Sequence, residues 1–350
     1  MKRNKILTSI FAIVISATAM ATNPLYPILD NYRIPLNEKG APVGKVLTGD
    51  TKAKISISRD TADIFRIDRD GIVRLKRGVK LTEGGAFRYA VTLTVSTKTG
   101  TAVKEFELVK DEFLKNRAIA HRGAWKNFSD PQNSIKSLRN AISLGCSWSE
   151  FDVWMAADGV PVCNHDPAIG GLTVETSASA QLTKVELEPG EFLPTLEQYL
   201  LAIKDQNKTG LVLEIKPSLV SQERTLELTN KAVQMVHDLK VQAWVTYISF
   251  NYGSLERVIE LDPVATTAYL GNDKTVTEIK NSKMWGIDFN LNMFKANPIL
   301  TRQAHDLGLT VNVWTVNKAE DLKMMLDQGA DYITTNEPEL LLKMLRERGE

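Results

Sequence analysis

The sequence predicts an α/β fold, a (β/α)8 TIM barrel, preceded by a small all-β sandwich. Residues 28–112 carry short runs of alternating apolar residues separated by turn residues, which is typical of antiparallel strands. From residue 116 onward, short apolar runs alternate with amphipathic helical segments, and about 235 residues suit a TIM barrel. We therefore expect a β-sandwich module over residues 28–112 and the barrel domain over residues 116–350.

Eight strand-like runs can be counted in the barrel domain, and each but the last is followed by enough chain for a crossover. In order they are "AIAH", "SEFDVW", "LVLEIK", "VTYISF", "TTAYL", "WGIDFN", "VNVWTV" and "YITT". The alternative is an open doubly wound sheet, which usually carries a glycine-rich phosphate loop after its first strand. The segment "HRGAWKN" is not such a loop, so the sequence favours the closed barrel.

Three of the intervening segments have clear helical spacing. "SIKSLRNAISLG" ends at Gly145, and "PTLEQYLLAI" opens with Thr195 and Gln198 placed as a capping box. The third, "NKAVQMVHDLK", puts His237 on the polar side of its helix, so we expect an ordinary surface histidine there. His305 in "TRQAHDLG" is expected to be another.

The first residues predict export. Three basic residues precede an apolar run over residues 6–19, and Ala19-Met20-Ala21 offers the small residues of a cleavage site. The run is shorter than the ~20 residues of a spanning helix, which favours a signal peptide over residues 1–21. An uncleaved anchor is the alternative. We therefore expect a periplasmic or extracellular protein without stable membrane insertion.

The net charge and the cysteine positions indicate whether a nucleic-acid partner and a disulfide are to be expected. The formal net charge is +1 and there is no basic stripe, so we expect no nucleic-acid partner. Export would permit a disulfide between Cys146 and Cys163. However, "EFDVWMAADGVPVCNHD" should form a hairpin with Cys163 opposite Val153, which leaves Cys146 about 20 Å away along the strand. That separation is too large to bridge, so both thiols are expected to be free.

The β module carries no recognisable chemistry. In "RYAVTLTV" the residues Tyr89, Val91, Leu93 and Val95 share one face of a strand. The run "FRIDRDGIVRL…YAVTLTV" resembles a cadherin-like module, although the acidic calcium-binding signature of that family is absent. A spacer or adhesion role is the simplest interpretation, and any association with a surface or with a second copy should use this module.

Charged residues on two barrel strands face inward. In "SEFDVW" the apolar Phe151 and Val153 suit the surrounding helices, which turns Glu150 and Asp152 toward the barrel centre. In "LVLEIK" the same alternation turns Glu214 and Lys216 inward, near the carboxyl ends of the strands where TIM barrels carry their active sites. Unpaired buried carboxylates are costly, and an all-oxygen ligand set favours a hard divalent cation, Ca²⁺ or Mg²⁺.

Two histidines should flank this acidic cluster. His121 ends the first strand, and the hairpin after the second strand returns His165 to the level of Phe151. Arg122 and Lys216 supply fixed positive charge nearby. A hard cation, two proton-transfer groups and two fixed cations together suit hydrolysis of a phosphate ester.

These motifs resemble the glycerophosphodiester phosphodiesterase family, whose barrel is of the phosphatidylinositol phospholipase C-like kind. "HRG", "PQNS", "EFDV", "DGVPVCNHD", "LPTLEQ", "LVLEIK", "VWTVN" and "GADYITTNEP" follow that family's order over residues 117–340. The resemblance implies hydrolysis of a glycerophosphodiester to glycerol phosphate and an alcohol. It also implies the roles of eight residues: His121 and His165 as the acid/base pair, Arg122 as phosphate ligand, Lys216 as charge partner, Trp314 in the alcohol pocket, and Glu150, Asp152 and Glu214 as metal ligands.

One motif departs from the family's usual pattern. The family usually reads Pro-Glu-Asn-Thr where this chain has Pro131-Gln132-Asn133-Ser134. Gln132 keeps a hydrogen-bonding carbonyl but loses the charge, which leaves open any role of that carboxylate near the metal. The sequence also leaves open the alternative that an inward Trp314 only fills the barrel.

Two other functions fit parts of the pattern. A sphingomyelinase D-like or phospholipase C-like lyase shares the barrel and the paired histidines but would release a cyclic phosphate. An exported protein that binds phosphodiesters without catalysis would need neither histidine. The set of two histidines and three acids favours the hydrolase.

Overall fold

The computed structural model describes residues 26–350, and its amino-terminal part consists of two four-stranded β-sheets. The eight strands are β1 (Ile28–Leu29), β2 (Arg33–Ile34), β3 (Pro42–Leu47), β4 (Lys54–Asp60), β5 (Phe65–Ile67), β6 (Ile72–Leu75), β7 (Arg88–Ser96) and β8 (Thr101–Lys110). One sheet has the order β1-β3-β6-β5 and the other β2-β8-β7-β4. All pairs are antiparallel except β2 with β8, so the predicted all-β character is confirmed.

The core of these sheets follows from the alternation of side chains along each strand. On β7, Val91, Leu93 and Val95 are fully buried, whereas Thr92 and Thr94 face outward. Apolar side chains of the opposite sheet, including Val73 and Leu75, belong to the same buried cluster. We call residues 26–112 the β region.

Eight parallel strands form a closed barrel after the β region. They are β9 (Ala118–Ala120), β10 (Trp148–Met155), β16 (Gly210–Ile215), β17 (Val245–Ser249), β18 (Thr267–Tyr269), β19 (Gly286–Asn290), β20 (Thr310–Trp314) and β21 (Tyr332–Thr335). Each pairs with the next, and β21 pairs with β9 to complete the ring. The predicted TIM barrel is confirmed, with all eight strands at the predicted places.

Between β10 and β16 the chain makes a long excursion above the barrel. It contains β11 (Pro161–Cys163), β12 (Ala168–Ile169), β13 (Leu172–Thr173), β14 (Glu186–Glu188) and β15 (Glu191–Phe192). The strand β11 pairs antiparallel with the end of β10, with Cys163 opposite Val153 as predicted. This hairpin carries the chain back toward the barrel rim.

Helices connect the barrel strands. They are α1 (Ile135–Leu144), α2 (Ser179–Leu182), α3 (Leu196–Ala202), α4 (Gln222–Asp238), α5 (Tyr252–Leu261), α6 (Val276–Asn281), α7 (Leu291–Ala296), α8 (Leu300–Asp306), α9 (Ala319–Asp327) and α10 (Pro338–Arg348). The predicted capping box of Thr195 and Gln198 begins α3, and Gly145 ends α1 in the left-handed conformation. Within residues 26–350, the helices are too short or too polar to cross a lipid bilayer.

The β region is joined to the amino-terminal end of the barrel by specific polar contacts. The buried Asn207, just before β16, donates its side-chain N–H to the Lys110 carbonyl oxygen at 3.0 Å. Arg33 Nε donates to the carbonyl oxygen of Ala243, just before β17, at 2.9 Å. The loops that follow the strands lie at the opposite, carboxyl-terminal end of the barrel.

The structure corrects one sequence prediction and confirms two others. His237 is buried, not a surface residue, because Asp262 and the β region cover the end of α4, and its Nε2 lies 2.8 Å from Asp262 Oδ2. His305 is partly exposed, as predicted, and pairs with Asp331. Cys146 and Cys163 are buried free thiols, as predicted. The predicted signal peptide lies outside the described residues.

Candidate active site

Three carboxylates meet at the carboxyl-terminal end of the barrel. Glu150 and Asp152 alternate along β10, and Glu214 stands opposite Asp152 on the neighbouring strand β16. One oxygen from each carboxylate lies within 4.8 Å of the others, and all three residues are buried. The alternation predicted from the sequence therefore places all three acids in one cluster, which could hold a metal ion.

Lysine and asparagine side chains hold Asp152 ionised. Lys216 Nζ lies 2.7 Å from Asp152 Oδ1 and 2.8 Å from Glu214 Oε1, and Asn133 Nδ2 donates to Asp152 Oδ2 at 2.9 Å. Burial works to raise the pKa of Asp152, but Lys216 and Asn133 hold that pKa below its usual value. Burial and the charge of Asp152 raise the pKa of Glu214 to about 8 against the opposing effect of Lys216.

Glu150 is the least compensated of the three acids. Its Oε2 accepts a hydrogen bond from the backbone N–H of Arg122 at 2.8 Å, whereas its Oε1 has no hydrogen-bonding partner among residues 26–350. Burial, then Asp152 and Glu214, raise the pKa of Glu150 well above its usual value. Orphaned buried oxygens are rare in proteins. The carboxylate set and the orphaned Glu150 oxygen both fit a hard divalent cation.

The turn after β9 explains the His-Arg-Gly triplet. Arg122 and Gly123 both have positive φ, 57° and 80°, and a Cβ at position 123 would lie 2.6 Å from the Ser137 carbonyl carbon. Only glycine fits there. The sharp turn aims the backbone N–H of Arg122 at Glu150 and leaves the side chains of His121 and Arg122 over the acidic cluster.

His121 has a defined orientation. Its Nδ1 lies 2.7 Å from Asn336 Oδ1, which can only accept a hydrogen bond, so the ring proton sits on Nδ1. Its Nε2 lies 4.0 Å from Glu150 Oε2. Burial, and then the charge of Arg122, lower the pKa of His121 to about 4. The imidazole is therefore neutral at pH 7, with Nε2 able to accept a proton.

His165 reaches the same site from the hairpin. Asn164 donates its backbone N–H to the Asp152 carbonyl oxygen at 3.1 Å, which continues the β10–β11 pairing to the site. His165 Nδ1 lies 2.7 Å from Asp166 Oδ1, and the side chain is 39% exposed. The two histidines therefore differ, since His165 has a carboxylate partner and more contact with water.

Arg122 and Trp314 have different surroundings beside the cluster. Arg122 Nη1 donates to Gln132 Oε1 at 2.6 Å, and its Nε lies 3.6 Å from Asp152 Oδ2. Trp314 Nε1 donates to the Asp288 carbonyl oxygen at 2.9 Å, and its ring packs edge-on against Phe250 with 5.4 Å between ring centres. The side that holds Arg122 is polar, and the side that holds Trp314 is largely apolar.

A single cavity of about 300 Å³ joins these groups. Seven of the eight residues predicted from the sequence line it: His121, Arg122, Glu150, His165, Glu214, Lys216 and Trp314. The eighth, Asp152, lies just beneath, bonded to Lys216 and Asn133. Their roles in catalysis stay predictions, but the structure brings all eight to one place.

Several polar partners were not predicted from the sequence. Asn336 orients His121, Asp166 pairs with His165, and Asp288 reaches the cavity floor as a buried carboxyl. Gln132 and Asn133 were noted as parts of a motif, but not as partners of Arg122 and Asp152. The "NEP" and "NHD" runs contain Asn336 and Asp166, so proximity to a motif was the available signal for both.

The fold and site together define a class of TIM-barrel enzyme in which a buried carboxylate cluster at the strand ends lies beside two histidines and an arginine. Comparison with known proteins agrees. The pattern that describes the glycerophosphoryl diester phosphodiesterase family matches residues 121–340. The chain belongs to that family.

Individual relatives match about two thirds of this chain. A glycerophosphodiester phosphodiesterase from Caldanaerobacter subterraneus is 28% identical over 250 residues, which are 67% of this chain and 100% of the relative. A glycerophosphodiester phosphodiesterase crystal structure from Parabacteroides distasonis is 36% identical with a TM-score of 0.65, over 68% of this chain and 100% of that one. An Oleispira antarctica phosphodiesterase, solved with the product sn-glycerol-3-phosphate, shares the fold at 23% identity and a TM-score of 0.59, over 66% and 97% of the two chains.

Proposed function

We propose that this chain is an exported, metal-dependent phosphodiesterase that hydrolyses glycerophosphodiesters to glycerol phosphate and an alcohol. The observation that carries the proposal is the cavity in which His121 and His165 flank the cluster of Glu150, Asp152 and Glu214. Membership of the family supports the substrate class, and the 28% identical relative carries the same activity in its name.

The anionic phosphoryl group would bind on the polar side of the cavity. Arg122 is a fixed cation there, because Gln132 holds its guanidinium and the turn at Gly123 fixes its backbone. Arginine recognises phosphate oxygens with several N–H groups in one plane. Lys216 supplies a second positive charge, although it is already paired with Asp152 and Glu214.

Glu150, Asp152 and Glu214 are the residues that would hold the cation. A bound Ca²⁺ or Mg²⁺ would neutralise phosphoryl charge and polarise the ester. The protein contributes a site already enclosed by the barrel, with two carboxylates kept in register by the β10–β16 pairing. The cluster contains three carboxyl groups, and only one lysine and one arginine lie beside it. It can therefore accept further positive charge.

The tautomer of His121 suits it to be the base. Asn336 holds the proton on Nδ1, so Nε2 can remove a proton from the attacking water. As the water oxygen bonds to phosphorus, the bond from phosphorus to the alcohol oxygen breaks. Asn336 acts as a positioning residue, because it touches the imidazole and not the substrate.

The surroundings of His165 suit it to be the acid. The Asp166 carboxylate lies 2.7 Å from Nδ1 and can accept a hydrogen bond from it, which orients the ring so that its other nitrogen can protonate the leaving alcohol oxygen. The exposed position of His165 gives the departing alcohol a path to solvent. Trp314 and Phe250 offer an apolar wall for the carbon atoms of the substrate.

Export and the domain limits are also proposed from the sequence. The signal-like residues 1–21 support a periplasmic or extracellular location, residues 28–112 an appended β module, and residues 116–350 the barrel domain. The β module carries none of the residues proposed for chemistry, so a surface-association or spacer role suits it.

Product analysis tests the reaction. Purified protein incubated with glycerophosphocholine and glycerophosphoethanolamine should yield glycerol phosphate and the free alcohol, followed by ³¹P NMR. A cyclic glycerol phosphate as the final product would indicate the lyase alternative. Binding of both diesters without turnover would indicate the non-catalytic alternative.

A further inference from the structure

A second cavity, of about 310 Å³, lies between the β region and the barrel. Its walls include residues 30–33 of the β region, together with Trp148 and Tyr332, which begin β10 and β21. Asp152 lies four residues further along β10 than Trp148, roughly 13 Å at the rise of a strand. The cavity is therefore at the end of the barrel opposite the proposed catalytic site.

Part of this cavity is specific to chains that carry a β region. The family match begins at residue 121, so the wall formed by residues 30–33 lies outside it. The Caldanaerobacter relative aligns over its whole length with only 67% of this chain. The activity shared by the family therefore does not account for the cavity.

Three aromatic rings form one wall. The rings of Trp148 and Tyr332 meet edge to face with 6.2 Å between centres, and Trp285 lies 6.1 Å from Tyr332 at 37°. Trp285 is 36% exposed, which is high for so large an apolar side chain. An indole presents a flat apolar face and an N–H at its edge.

Fixed polar groups of both signs form the other walls. The Arg33 guanidinium lies 3.6 Å from the centre of the Phe113 ring, and its Nε donates to Ala243. Asp30 accepts a backbone hydrogen bond from Lys45 at 2.7 Å. Asp262, also in the wall, pairs with the buried His237 at 2.8 Å. These contacts fix the groups before any ligand arrives.

One polar group in the wall is unsatisfied. Tyr247 is 2% exposed, and its hydroxyl has no hydrogen-bonding partner in the part of the chain that the structure describes. Most buried hydroxyls in proteins are hydrogen-bonded. The unpartnered Tyr247 hydroxyl points to a ligand, or to water that a ligand would replace.

We propose that this cavity is a binding site for a neutral saccharide of one or two pyranose rings. One guanidinium and two carboxylates disfavour a strongly charged ligand of either sign, whereas a hydroxyl group can both donate and accept. The C–H face of a pyranose ring packs on an indole, and the hydroxyls at its edge reach polar groups. The volume is within the range of small-ligand pockets.

Titration with neutral disaccharides tests the proposal. Maltose, cellobiose, lactose and N,N′-diacetylchitobiose would each be added to the full chain, with binding followed by calorimetry and tryptophan fluorescence. At least one should bind, and Trp285→Ala should weaken it about tenfold or more, as expected for an aromatic anchor. Tyr247→Phe should weaken it about three- to tenfold, as for one lost hydrogen bond, without lowering stability.

Matched controls separate this site from general effects. Phe192→Ala removes an exposed aromatic on β15 and should leave saccharide binding unchanged. Diester turnover should be the same in Trp285→Ala as in the wild type. The proposal is overturned if none of the four disaccharides binds, if binding is unaffected by Trp285→Ala, or if glucose 6-phosphate binds more tightly than the neutral sugars.

Discussion

His121 and His165 differ in the partners of their ring nitrogens, and on this difference we base the proposed direction of proton transfer. An amide oxygen accepts a hydrogen bond from His121 Nδ1, whereas a carboxylate oxygen of Asp166 lies 2.7 Å from His165 Nδ1. Both side chains lie at the rim and contribute little to the core. Their substitution should therefore affect catalysis far more than folding.

We expect His121→Ala and His165→Ala each to reduce kcat by about 10²–10⁴-fold, the usual contribution of general acid–base catalysis. The double variant should lose much less than the product of the two, because partners in one step act as a unit. His305→Gln is the control, since His305 is exposed and does not line the cavity. Near-normal kcat in His121→Ala, measured with saturating metal, would make that histidine structural.

Gln132 is expected to position the side chain of Arg122. Its carbonyl oxygen accepts a hydrogen bond from the guanidinium, and such bonds to charged groups contribute about 1.5–3 kcal/mol. Gln132→Leu should therefore lower kcat/KM about tenfold or more, mainly through a higher KM. Gln132→Glu keeps an acceptor and should retain kcat/KM close to that of the wild type. Equal losses in both variants would show that the amide itself is required.

At the scale of elements, the β region and the barrel share buried contacts. The Asn207 side chain bridges the two parts through the Lys110 carbonyl oxygen. Asn207→Ala would remove this hydrogen bond and leave the backbone N–H of Glu112 as the donor to that oxygen, at a cost of about 0.5–1.5 kcal/mol in the free energy of unfolding. Urea denaturation measures this loss. Asn292→Ala, at an exposed position of α7, should change the free energy of unfolding little, and equal stability of the two variants would argue against a structural junction.

Alternation along the strands was enough to predict where Glu150, Asp152 and Glu214 point, because a side chain's face in a barrel follows from its position in the strand. The burial of His237 could not be predicted in this way. The helix periodicity places it on a polar side, but Asp262, 25 residues away, and the β region cover that side. The partner Asn336 was missed because its contact with His121 depends on the closure of the ring between β21 and β9. Gln132 was missed because its contact with Arg122 depends on the course of the loop between β9 and α1.

In the whole molecule, each end of the barrel has its own cavity. The carboxyl-terminal end holds the acidic cluster and the histidines, and the amino-terminal end is covered by the β region. If the chain is exported, both ends meet the same extracellular or periplasmic medium. The diester and the saccharide would then be encountered together, which suits a protein that works close to a cell surface.

Metal-dependent catalysis by the acidic cluster is tested by the rate of glycerophosphocholine hydrolysis before and after metal removal, in the wild type and in Glu150→Gln. We expect exhaustive chelation to abolish activity and Ca²⁺ or Mg²⁺ to restore it in the wild type, because buried carboxylates need a cation. Glu150→Gln should stay nearly inactive with either ion, whereas Glu197→Gln, at an exposed position of α3, should behave as the wild type. Full activity of the wild type after chelation, or of Glu150→Gln with limiting metal, would show that the acidic cluster does not hold a metal needed for catalysis.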